Sequence, residues 1–313
     1  MSRKKHSSQF IPRPQHKKIP SIDELLNQYF ESEDGENKKL QDFFKAYYGF
    51  LQKSREEKLE EIVDALSAVA DTAITASYTR IVQLKYGDPL SVVGSLAGPG
   101  GRFNIGNGMG HTKPFACLYV ANDFHTAFCE CYHYPPGYMR GNVDALKMAL
   151  QKPSDFMTVQ LGLNIEKCID LRNKDNLRGF TQVISDIKPT DEFKLWAKDL
   201  GYFSLRTIQT HGELYRTLLD PDFVKNYYSL DMPSNSQWFG YYCLMAGIQG
   251  IIFPSVRDKQ GYNIAVLVDN LKDTESSIKI EADTPVVPDD RKVMNGDNFE
   301  FFKIKIPTKK ILN

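Results

Sequence analysis

The chain has 313 residues, 42% of them apolar and 25% charged, with thirty-nine basic residues balancing thirty-nine acidic ones. This is the composition of a globular protein with ample core volume, and the zero net charge sets up no global field for nucleic acid or an anionic membrane. Five cysteines, an odd number on a long chain, suit reduced thiols in a cytoplasmic compartment.

Residues 1–20 carry six Lys or Arg, three prolines and no acid, the texture of a disordered basic tail. A solubilising role accounts for such a tail; the rival is a docking arm. No apolar stretch comes after it, so it is not a secretory signal. Ser21–Glu33 opens with the capping box Ser21-Ile-Asp-Glu24. With Leu40–Leu51 and Glu57–Ala70, it makes residues 21–70 a helical appendage that is separable from the rest of the chain. A catalytic domain is expected over 71–313.

From Asp71 the pattern changes. Ser77–Leu84 alternates as a strand, and Gly98–Gly110 comes next with six glycines in thirteen residues, too dense for a helix or strand. Arg102 sits inside that loop. Phe115–Val120 reads as a buried strand, and Asn122 or Asp123 caps a helix that carries Glu130. Tyr134-Pro-Pro-Gly-Tyr138 ends it, and Asp144–Leu150 makes a short helix. Strands are expected at Phe156–Leu163 and Lys167–Leu171, then helices at Asp191–Leu200, Gln209–Leu219 and Ser234–Ala246. Gly250–Phe253 and Ile264–Val268 form a hairpin-like pair of strands around a polar loop, and Phe299–Ile306 is a last strand. The irregular alternation favours α+β over a doubly wound sheet. The longest near-apolar run, Phe239–Phe253, is too short to span a bilayer.

A guanidinium from a glycine loop, an aromatic strand and a helix carboxylate, all within about thirty residues, suit an anion-plus-sugar site. Three competing readings are weaker. His125, Cys129, Cys131 and His133 make HxxxCxCxH, but on a continuing helix only His125 and Cys129 share a face, so no metal is assigned. The glycine run lacks the GK[ST] and strand–turn–helix order of a phosphate loop. Thr210-His211-Gly-Glu213 offers an acid/base pair, and a polar helix start explains it equally well.

Five pieces in order resemble the RES-domain family. They are Tyr78-Thr-Arg80-Ile81; Gly100-Gly101-Arg102-Phe103-Asn104; Leu118-Tyr119-Val120-Ala121; Ala127 with Glu130; and Gly250-Ile-Ile-Phe-Pro-Ser255-Val-Arg257 followed by Gly261-Tyr-Asn263. The resemblance covers about Ala73–Asp269. Phe103 stands where tryptophan is commoner, and Pro135–Lys152 reads as an insertion. The resemblance implies an ADP-ribosyltransferase-like split sheet with flanking helices. It also implies an NAD-destroying toxin, NAD being substrate and not cofactor, with an Xre-type antitoxin as partner.

Its characteristic Arg, Glu and Ser fall on Arg80, Glu130 and Ser255, which make the expected catalytic set. Glu130 is expected to face the developing oxocarbenium ribose. Ser255 needs no nucleophilic role, because no base stands beside it in sequence. Substrate binding falls to Arg102 on the pyrophosphate, with Arg80 beside it, Tyr119 against nicotinamide and Tyr78 on the adenine side or ribose. Gly101, Asn104 and Asn263 complete that set. The expected reaction is cleavage of the nicotinamide–ribose bond with water or phosphate as acceptor. The alternatives are ADP-ribose transfer to a macromolecule, and an inactive NAD- or partner-binding module.

Overall fold

A computed structural model of the chain describes residues 38–83, 88–109, 112–132, 156–201, 205, 207–223, 231–281 and 289–304. Two helices open the described chain, α1 (Lys38–Glu56) and α2 (Leu59–Ser67). The apolar positions of α1 recur at helical spacing, so Leu40, Phe43, Phe44, Tyr47, Tyr48 and Leu51 all become buried. Phe43 meets Trp196 edge-on at 5.4 Å, and Tyr47 meets Phe193 at the same distance. Ile62 and Leu66 of α2 enter the same core as Phe239 and Ile251. The expected appendage is thus packed into the body: cutting the chain at residue 71 leaves this core open, each lost large side chain costing about 1.5–3 kcal/mol.

The strands are β1 (Thr72–Gln83), β2 (Cys117–Ala121), β3 (Phe156–Asp170), β4 (Gly250–Pro254), β5 (Tyr262–Leu267), β6 (Ser277–Ile280) and β7 (Val293–Asn295). Their order is β1-β2-β5-β4-β3-β6-β7, and β1 also pairs with β3, so the sheet curls back on itself. All neighbouring pairs are antiparallel except β3 with β4. Between the strands lie α3 (Val93–Leu96), α4 (Phe124–Cys131), α5 (Arg178–Ser185), α6 (Asp191–Asp199), α7 (His211–Leu218) and α8 (Asn235–Met245). The architecture is α+β.

The central strands read as unbroken apolar runs because both of their faces are covered. On β4, Ile251 and Phe253 enter the helix-side core while Ile252 enters a second core on the other face. On β5, Ala265 and Leu267 oppose Ile264 and Val266 in the same way. The helix-side core is centred on α8, where Trp238, Phe239, Tyr242 and Cys243 are all buried.

Several boundaries differ from those expected. The two strands expected between Phe156 and Leu171 are one strand, β3, because it pairs with β1 along nearly its full length. Phe299–Lys303, expected as part of a last strand, forms a 3₁₀ turn whose Phe299 and Phe302 fill the second core, and the end of that expected strand lies outside the described residues. Helix α5 and strands β6 and β7 were not legible as separate elements. The Ser21–Glu33 and Asp144–Leu150 helices lie outside the described residues.

Candidate active site

A cleft of about 360 Å³ opens where β1, β2 and β5 meet α4 and the glycine loop. One wall is the loop itself, and its hydrogen bonds are used to hold its own shape. Asn104 is fully buried, and its Oδ1 accepts from the Gly101 N–H at 2.9 Å and from the Tyr119 hydroxyl at 3.0 Å. Its Nδ2 donates to the carbonyls of Ser95 and Phe115. The Tyr119 hydroxyl accepts in turn from the Phe103 N–H at 2.9 Å. Gly101 is required there, since a Cβ at that position would run into the Tyr119 ring.

Helix α8 fastens the loop from behind. Ser234 and Gln237 form a capping box, and the Gln237 amide nitrogen also donates to Pro99 O at 2.8 Å and Gly101 O at 3.2 Å. One buried glutamine therefore caps a helix and pins the loop, a role visible only once the two are neighbours.

The opposite wall carries the carboxylate. Asp123 caps α4 through the Thr126 N–H, which sets the helix that presents Glu130. Ser255 donates to Glu130 Oε1 at 2.6 Å, and the Asn263 amide donates to the same oxygen at 3.1 Å. The Ser255 oxygen accepts from the backbone N–H groups of Arg257 and Asp258, at 3.1 and 2.9 Å. Its one proton is therefore committed to Glu130, so Ser255 orients the carboxylate and is not activated as a nucleophile. Asp258 accepts from Thr126 Oγ1 at 2.9 Å, tying the β4–β5 turn to the first turn of α4. Gly261 lets the turn come that close, for a Cβ would collide with the Thr126 hydroxyl. Among the described residues, Glu130 Oε2 accepts no hydrogen bond.

Three arginines line the cleft. Arg102 is buried, donates from Nη1 to the carbonyls of Leu218 and Asp220, and lies 4.6 Å over the Phe223 ring. Leu218 is the last residue of α7, so the guanidinium sits on a helix C-terminus that favours a cation. Burial pushes its pKa down to about 10, against the pull of the Glu130 charge. Arg80 is likewise lowered to about 10 by burial; both of its terminal nitrogens bond carbonyls, Pro89 O and Ser91 O at 2.7 Å each. Arg257, which stands in one of the five motif pieces and has no expected role from sequence, lines the wall as well. A second cavity of about 310 Å³ adjoins the cleft across Arg80, Gly101 and Tyr119 and continues toward Ser91 and Cys117.

Of the expected site residues, Glu130, Asn263, Arg102, Arg80, Tyr119 and Gly101 line the cleft, and Ser255 joins them through its bond to Glu130. Two are placed elsewhere. Tyr78 is buried in the second core with its ring edge-on to Tyr262 at 6.3 Å, so it offers no face to a ligand. Asn104 lies behind the loop with its polar atoms satisfied internally, making it a brace and not a contact. His125 and Cys129 approach each other at 3.5 Å, and no group of three or more possible metal ligands occurs among the described residues. Glu213 accepts from the Gln209 and Thr210 N–H groups, which leaves the 210–213 segment as a helix cap.

With this geometry in view, comparison with known proteins identifies a RES domain over residues 78–289, more than half of the chain. The chain belongs to the RES-domain family. No curated protein matches it in sequence. Among solved structures it is similar to a chain of the M. tuberculosis MbcT-MbcA toxin–antitoxin complex. That match has 12% identity and a TM-score of 0.36, covering 78% of this chain and 97% of the other. No helix among the described residues is long and apolar enough to cross a membrane.

Proposed function

We propose that this RES-domain protein consumes NAD by cleaving its nicotinamide–ribose bond, with water or phosphate as acceptor. The observation that carries this reading is the half-engaged carboxylate. Glu130 Oε1 is locked by Ser255 and Asn263, while Oε2 accepts no bond among the described residues, on a carboxylate that lines a cleft with cationic walls. A carboxylate oriented through one oxygen has the other available for charge developing on a ribose, without reorganising at the moment of reaction.

In the reaction, the C1′–N bond breaks with its electron pair going to the nicotinamide nitrogen, releasing neutral nicotinamide. Glu130 stabilises the cationic ribose, and the acceptor oxygen then bonds to C1′. When the acceptor is water, one proton is released. The guanidinium of Arg102, with Nε and Nη2 unbonded among the described residues, would hold the pyrophosphate. Tyr119 and Phe253 supply apolar wall for a flat ring. In this reading the protein is a cytoplasmic toxin held in check by an Xre-type antitoxin, with the catalytic residues within 71–313 and α1 and α2 completing the core behind them.

The test is to incubate pure full-length protein with NAD, with and without phosphate, and resolve the products. Free ADP-ribose, or ADP-ribose 1″-phosphate when phosphate is present, is the expected outcome, with stoichiometric nicotinamide. ADP-ribose attached to protein would mean macromolecular transfer instead, and intact NAD would overturn the reading.

A further inference from the structure

Arg257 lines the same cleft as Glu130 and Arg102, yet its guanidinium makes no hydrogen bond or ion pair among the described residues. A free surface arginine would be ordinary, because long side chains wander at little cost. This one is rooted in a turn with little freedom. Its own N–H and that of Asp258 both bond Ser255 Oγ. Ser255 N and Gly261 N close the turn onto Gly261 O and Asp258 O, at 3.0 Å each. The Asp258 carboxylate is bonded to α4. The backbone is thus fixed, and only the side chain remains uncommitted.

The charge balance of the cleft is one-sided, with Arg80, Arg102 and Arg257 set against Glu130. The two terminal nitrogens of Arg80 are already taken up by carbonyls. Arg102 has donors left over, and Arg257 has its whole fork. We propose that Arg257 is a second phosphate-binding residue, so that Arg102 and Arg257, and not Arg102 and Arg80, each hold one phosphate of a diphosphate ligand. The proposal rests on the reading that the cleft takes NAD. It adds which residue completes the diphosphate subsite, and that the subsite shares one turn with the catalytic carboxylate through Ser255.

The test compares wild type with Arg257→Gln and Arg257→Lys. Neither substitution touches the backbone bonds to Ser255, so both variants should fold. Binding is measured by calorimetry for inorganic pyrophosphate, ADP-ribose and nicotinamide riboside, the last of which carries no phosphate. Arg257→Gln should weaken pyrophosphate and ADP-ribose about 10- to 100-fold, and Arg257→Lys by less, since lysine keeps the charge and loses the fork. Nicotinamide riboside should change by less than about twofold, because a charge-assisted contact to phosphate is absent from it. Unchanged ADP-ribose binding in Arg257→Gln, or equal losses with and without phosphates, would overturn the proposal. So would wild type that binds neither diphosphate. Wild type that binds pyrophosphate in an Arg257-dependent way yet leaves NAD intact would uphold the subsite and overturn the NAD reading instead.

Discussion

The two walls of the cleft use their polar groups differently. In the glycine-loop wall, Asn104, the Tyr119 hydroxyl and Gln237 are bonded to the protein itself. In the opposite wall, among the described residues, Glu130 uses one oxygen for position and keeps the other, and the Arg257 guanidinium is unbonded. Bonds within the loop set its shape, whereas Glu130, Arg257 and, in the loop itself, Arg102 keep polar atoms unbonded among the described residues. The two should therefore fail differently: damage to the loop should cost stability and activity together, and damage to the carboxylate wall should cost activity alone.

The sharpest way to break this comparison is Glu130→Gln. The amide oxygen can still accept from Ser255 and Asn263, so the fold should be kept while the negative charge is lost. Turnover of NAD should fall by about 10²–10³ with little change in NAD affinity. Melting temperature should stay within about 2 °C, the response expected of a change that costs under 0.5 kcal/mol. A parallel collapse in melting temperature would show that the carboxylate is a brace like Asn104.

Asn104→Ala tests the other wall. It orphans the Gly101 N–H and removes the partners of Ser95 O, Phe115 O and the Tyr119 hydroxyl. The loss should be about 2–4 kcal/mol of stability, since each buried unpaired group costs on the order of 1–3 kcal/mol and the loop can partly relax. Chemical denaturation measures it. Full stability with reduced NAD binding would return Asn104 to the ligand-contact role that its buried position argues against.

The smallest effect sharpens the comparison at the boundary between walls. Cys131 lines the cleft one residue beyond Glu130, and burial raises its thiol pKa to about 11. The thiol is therefore neutral near pH 8, and alkylation by iodoacetamide should be slow. Its rate should rise about tenfold per pH unit up to pH 10, following the thiolate fraction. ADP-ribose should slow it further by covering the site. A rate that levels off near pH 8.5 would mean that the cleft stabilises the thiolate, contrary to the burial argument. Mass spectrometry identifies the alkylated residue.

Much of the cleft was legible in sequence because its parts are local. A glycine-dense loop, a helix capped at Asp123 and an apolar strand each have signals within a short window, and they carry Arg102, Glu130 and Tyr119. The roles were less legible than the residues. Ser255 is expected in the catalytic set and Asn263 among the substrate contacts, but both bond Glu130, more than one hundred residues away in sequence. Gln237 is not among the expected residues at all, and Arg257 stands at the end of a motif piece with no expected role. Asn104 and Tyr78 sit in motif pieces whose order is a family signature, but motif order does not distinguish a brace from a contact.

By itself the sequence determined the mixed α+β class, the loop that must be non-regular, the cap that launches the Glu130 helix and the apolar strands that must be buried. Those follow from backbone sterics and side-chain periodicity, which act over a few residues. Only the tertiary structure decided that α1 and α2 close the core, that β1 joins both β2 and β3, and which polar groups remain uncommitted at the cleft. Hydrogen-bond satisfaction is a property of neighbours in space, so a side chain's availability for chemistry depends on partners the local sequence does not contain.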